Sequence, residues 1–92
     1  MLGFLVETYA ACETPGAAAQ HAERVSLAAA QVSAVTGEVR LLHAIYVPED
    51  ELALYLFEST SADAVREAMT RAGLRLDRIT EATQIETKPT PS

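Results

Sequence analysis

An α+β fold is what this sequence predicts, and three observations predict it. Leu2 to Tyr9 alternates with period two, the mark of a half-buried strand. Ala18, Ala22, Val25, Ala29 and Val32 then recur at spacings of four and three, one apolar stripe of a helix. Two β-rich runs and a second helical stripe follow, so strand and helix signals alternate through 92 residues, enough for a single core.

The first strand, Leu2 to Tyr9, puts Phe4, Val6 and Thr8 on one side and Leu5, Glu7 and Tyr9 on the other. After the loop Ala10 to Glu13, Thr14 and Pro15 supply an N-cap and a first-turn proline for a long helix ended by Gly37. Val39 to Val47 and Leu52 to Ser59 are strands joined through the polar turn Pro48-Glu49-Asp50-Glu51, which makes a hairpin. Thr60 and Asp63 have capping-box spacing for a short second helix with the stripe Val65, Ala68, Met69 and Ala72, closed by Gly73 and Leu74. Arg78 to Ile85 forms the last strand. The domain spans 1–86, and the polar residues 87–92 are expected to be a disordered tail.

The order βαββαβ is the ferredoxin-like split βαβ arrangement. Right-handed crossovers give the spatial order 4-1-3-2, an antiparallel four-stranded sheet with both helices on one face. The other face stays open, so a homodimer through that face is expected, as in a dimeric α+β barrel. With Val47 opposite Leu52, the aliphatic set Val39, Leu41, His43, Ile45, Leu52, Leu54 and Leu56 is assigned to the helix side. The aromatic set Tyr46, Tyr55 and Phe57, with Tyr9 and Glu7, is assigned to the open face.

Composition narrows the function. Net charge is −6, and the seven basic residues, six of them Arg, are scattered, which disfavours nucleic acid. No apolar run approaches the ~20 residues of a membrane span, and the start lacks a basic region before its apolar residues, so a cytoplasmic protein without a signal peptide is expected. The lone Cys12 excludes an internal disulfide or a CxxC site and reads as a buried or incidental loop residue. No glycine-rich phosphate loop, GxSxG or HExxH is present.

Glu7, on a central strand, is the first candidate for a functional acid; the plain alternative is an ion pair with Arg78 or Arg40. Tyr9, Tyr46, Tyr55 and Phe57 are candidates to line a ligand site with Glu7 or to form a protein interface. His43 is the candidate metal ligand or acid-base group, placed by the preferred register against the helices, where a lone histidine is more often hydrogen-bonded core.

FLVETY, Pro15-Gly16, LLHAIY, LYLFES and SADAVREAMTRAGLRLDRITEA carry a further signal. Through them the chain from Phe4 to Glu81 resembles a family of small, mainly bacterial, ferredoxin-like proteins known as a domain of unknown function, which includes nickel-binding proteins. The resemblance implies a subunit dimeric through its sheets and a divalent transition metal such as nickel as cofactor, with His43 matching a family histidine. Some members carry a cysteine in the third strand, where Tyr55 and Leu56 stand here. A carboxylate and histidine site of Glu7 and His43 requires both on one face, contrary to the preferred register.

Three functions follow as expectations: a dimeric binding protein with a metal or small ligand between paired sheets; a small cofactor-independent α+β barrel enzyme of monooxygenase or isomerase type using Glu7 or His43; and a pure interaction module.

Overall fold

The computed structural model describes residues 1–9 and 14–85. The elements run β1 (Leu2–Tyr9), α1 (Pro15–Ser33), β2 (Val39–Val47), a 3-10 turn (Pro48–Asp50), β3 (Leu52–Ser59), α2 (Ala62–Arg71) and β4 (Arg78–Ala82). The four strands form one antiparallel sheet in the order β2-β3-β1-β4, the ferredoxin-like order that the sequence implies. The expected loop with Cys12 and the expected tail from Thr87 lie outside the described residues.

Local chemistry explains the element ends. Thr14 caps α1, its hydroxyl accepting from the Ala17 amide at 3.1 Å, with Pro15 as first helical residue. The cap of α2 is Ser61, whose hydroxyl accepts from Ala64 N at 3.2 Å, one residue later than the Thr60 expected from the Thr60–Asp63 spacing. Gly73, at φ 73°, takes the left-handed position after α2, and Leu74 N–H bonds back to Met69 O at 3.1 Å. The hairpin turn closes at Glu51 in a left-handed conformation (φ 49°). The last strand is shorter than expected and ends at Ala82.

The core lies between the sheet and the two helices. α1 contributes Val25, Ala28, Ala29 and Val32, and α2 contributes Ala64, Val65, Ala68 and Met69. Such small helix residues leave volume that the sheet has to fill, and interiors pack to near-crystal density. Phe4, Val6, Tyr55 and Phe57 fill it; Tyr55 is 3% exposed and Phe57 0%. This corrects the expected face of β3. The hairpin register is as expected, with Val47 opposite Leu52 and Ile45 opposite Leu54, but its aromatic set turns toward the helices and its leucines turn outward. Pairing with β1 enforces this, because Phe57 stands opposite Phe4 and Tyr55 opposite Val6.

β2 changes sides along its length. Val39 and Leu41 pair with Ser59 and Phe57 on the core side; the register then slips at Leu42, so that Ala44 and Tyr46 pair with Tyr55 and Ala53. The extra residue is a β-bulge, which lets both Val39 and Tyr46, at positions of opposite parity, face the helices. Tyr46, opposite Ala53, turns with the aromatic set of β3 to pack against the core rather than on the open face, and His43, opposite Leu56, moves from the expected helix side to the open one.

Candidate functional site

The open face is a grid of cross-strand rows. Val47, Leu52 and Tyr9 form one row; Ile45, Leu54, Glu7 and Arg78 form the next. His43, Leu56, Leu5 and Thr80 follow, and Arg40, Glu58, Gly3 and Ala82 make the last. Its centre is aliphatic. Leu5, Leu54 and Leu56 are only half-buried, and Ile45 is 57% exposed. Charge sits toward the rim in two cross-strand pairs, Arg78 Nε to Glu7 Oε2 at 3.4 Å and Arg40 Nη2 to Glu58 Oε1 at 3.3 Å.

Glu7 lies on the open face as expected, and its partner is Arg78, one of the two arginines named for the ion-pair alternative. Its backbone is also pinned, since Asp77 N–H donates to Glu7 O at 3.0 Å. Tyr9 is on the same face and 60% exposed. Its amide donates to Asp77 Oδ2 at 2.8 Å, and the other carboxylate oxygen of Asp77 meets Arg75 Nε at 2.7 Å.

His43 stays opposite Leu56 and turns outward with the leucines of β3, so Glu7 and His43 share the open face after all. Leu5 and Leu56 lie between His43 and Thr80 in its row, and Leu54 separates Glu7 from Ile45 in the next. Two strand spacings and two residues along the strand separate the two groups, on the order of 12 Å. One copy of the chain therefore does not bring them to a common ion. Among the described residues no group of three or more His, Cys, Asp or Glu side chains is placed to hold a metal.

Two of the hollows that adjoin the sheet among the described residues bear on the site. One, of about 380 Å³, opens on the outer face around Gly3, with Leu42, Leu56 and Glu58 in its wall. Gly3 is required there, since a Cβ would run into the Ala82 carbonyl oxygen. The other, of about 200 Å³, lies beneath the N-terminal half of α1, where Ala18, Ala22, Ala44 and Ala53 surround Tyr46 and Tyr55. Beside Ala53 on the same sheet row, Thr8 is buried, and its hydroxyl has no hydrogen-bond partner among the described residues.

The sequence reading missed Leu54 and Leu56 as open-face residues and the turnover of β2. A signal existed for the second: adjacent Leu41 and Leu42 break the strand alternation where the bulge falls.

Fold and site together define a ferredoxin-like α+β protein with one uncovered sheet face. No family model matches the chain, and no curated protein does. Among solved structures it is similar to SCO4226 from Streptomyces coelicolor A3(2), with a TM-score of 0.76 and 21% identity over 91% of this chain and 99% of that one. At that identity the likeness concerns the fold. No helix among the described residues is long and apolar enough to cross a membrane.

Proposed function

We propose that the chain acts as a homodimeric binding protein whose open sheet faces pack together and hold a small ligand or a transition-metal ion at their rim. The observation that carries this reading is the continuous aliphatic surface of Leu5, Ile45, Leu54 and Leu56, rimmed by ion pairs. Contiguous apolar surface bordered by polar groups marks an interaction site. Strands of 8, 9, 8 and 5 residues, at about 3.3 Å rise and about 4.8 Å spacing, offer somewhat under ~500 Å² of flat face, so two copies cover ~1,000 Å² at most, the size of a weak, dilution-sensitive interface.

For the ligand, His43 is the imidazole that stands on this face opposite Leu56, and Glu7 is the carboxylate beside the aliphatic centre. Imidazole suits nickel and similar ions, which agrees with the family resemblance. With Glu7 and His43 far apart in one copy, a metal site takes ligands from both copies.

Native mass spectrometry of tag-free protein, followed by elemental analysis, tests both parts. A dimer with extra mass that is lost in His43→Ala supports the reading. Metal retained by that variant removes His43 as a ligand, a bare dimer leaves the interface itself as the function, and a monomer overturns the proposal.

A further inference from the structure

Tyr9 and the Gly3 hollow lie on the same strand and on the same face, six residues apart. At the strand rise that is about 20 Å. Tyr9 is an exposed aromatic knob at one end, held in place through its amide by Asp77. Gly3 is the floor of a socket at the other end, walled by the apolar Leu42 and Leu56 and edged by the Glu58 carboxylate. A knob and a socket on one surface, with neither able to reach the other within a chain, form a self-complementary pair.

Resting on the homodimer reading, we infer that Tyr9 of each copy seats in the Gly3 hollow of the other. A two-fold axis lying between the sheets, perpendicular to the strands and crossing β1 at Val6, performs the exchange, because Val6 is midway between Gly3 and Tyr9. Two-fold interfaces are isologous, so if residue 9 meets residue 3, then residue 3 meets residue 9. The same rotation sets Leu54 of each copy on Leu56 of the other and buries the aliphatic centre. Ile45 comes to stand over His43 of the second copy.

The pairing has the anatomy of a specific interface. A rigid aromatic fills an apolar pocket, and its hydroxyl is within reach of a carboxylate, which it can serve as donor. The socket volume of about 380 Å³ accommodates a phenol ring, and Gly3 in its lining lets the Ala82 carbonyl of β4 approach closely at its edge.

The experiment replaces Tyr9 by the photo-cross-linker p-benzoylphenylalanine in the full chain. Isotope-labelled and unlabelled copies are mixed, irradiated and mapped by mass spectrometry. Adducts joining the two isotopic forms at 1–3, Leu42 or 81–84 are expected. A dimer that cross-links elsewhere, or not at all, overturns the tyrosine exchange and leaves the homodimer standing; a monomer before irradiation removes both. As a second measurement, Tyr9→Ala is expected to raise the dimer dissociation constant about 30-fold, the size of an aromatic hot spot, with an unchanged circular dichroism spectrum. An unchanged constant overturns the exchange.

Discussion

The two faces of this sheet are built from alternate residues of the same strands, and they divide aromatic from aliphatic side chains opposite to intuition. On the helix side Tyr55 and Phe57 are buried; on the open side Leu54 and Leu56 are left half-covered. Hydrophobicity alone would favour burying the leucines at least as much. The difference teaches that volume chooses the face: helices studded with alanine, such as α1 with Ala28 and Ala29 and α2 with Ala64 and Ala68, need large partners, and the rings supply them. The leucines of the opposite parity then become the surface available to a partner.

Substitutions that exchange the properties of the two faces break or sharpen that contrast. The largest effect is expected on the buried side. Phe57→Ala leaves a cavity under both helices and should cost about 3–5 kcal/mol in chemical denaturation. Tyr55→Asp should unfold the chain, whereas Leu54→Asp should leave the spectrum of a folded protein and lower the sedimentation mass to that of a monomer. If Tyr55→Asp stays folded and merely dissociates, the face assignment is wrong.

Smaller effects test the supports of the core. Ser61→Ala removes the α2 cap and should cost about 1 kcal/mol. Thr8→Val is expected to act in the other direction, raising stability by about 1 kcal/mol, because it replaces a buried hydroxyl that has no partner among the described residues. A loss of stability in Thr8→Val would mean that the hydroxyl is satisfied in solution.

The smallest effect concerns the contact between α1's C-terminal turn and α2. The Thr36 hydroxyl donates to Glu67 Oε2 at 2.7 Å and is the main cause of a Glu67 pKa below its ordinary value of 4.5; slight desolvation opposes it, and Arg71 adds a hydrogen bond and a favourable charge. A lowered carboxyl pKa means that the folded state binds this proton less readily than the unfolded one. The contribution is therefore present above pH 4.5 and fades as pH falls through the folded-state value. Thr36→Val should move the Glu67 titration upward when followed by carbon-detected NMR; an unmoved titration would remove Thr36 as its cause.

Much of the fold is legible in the sequence. Period and punctuation at Thr14-Pro15, Pro48 and Gly73 give the order of the elements, although α1 ends at Ser33 before Gly37 and the last strand at Ala82 before Ile85, and the hairpin register from Val47 to His43 follows from its turn. The site is less so. Alternation along Leu52 to Ser59 separates two sets of residues without saying which is buried, because both sets are apolar, and the decision rests on side-chain volumes across the core. The place of His43 follows that decision, since it stays opposite Leu56, while a one-residue bulge at Leu42 keeps Val39 and Leu41 on the core side. Glu7 was legible because it is the one charged residue of β1, and its tie to Arg78 follows from the adjoining edge strand.

Sedimentation of tag-free protein over a wide dilution range tests the central claim, that the aliphatic face is covered by a second copy, most directly. The account gives a species of twice the 9.9 kDa chain mass that dissociates on dilution and is lost in Leu54→Asp. A single 9.9 kDa species at every concentration, with Leu54→Asp indistinguishable from it, would contradict the account.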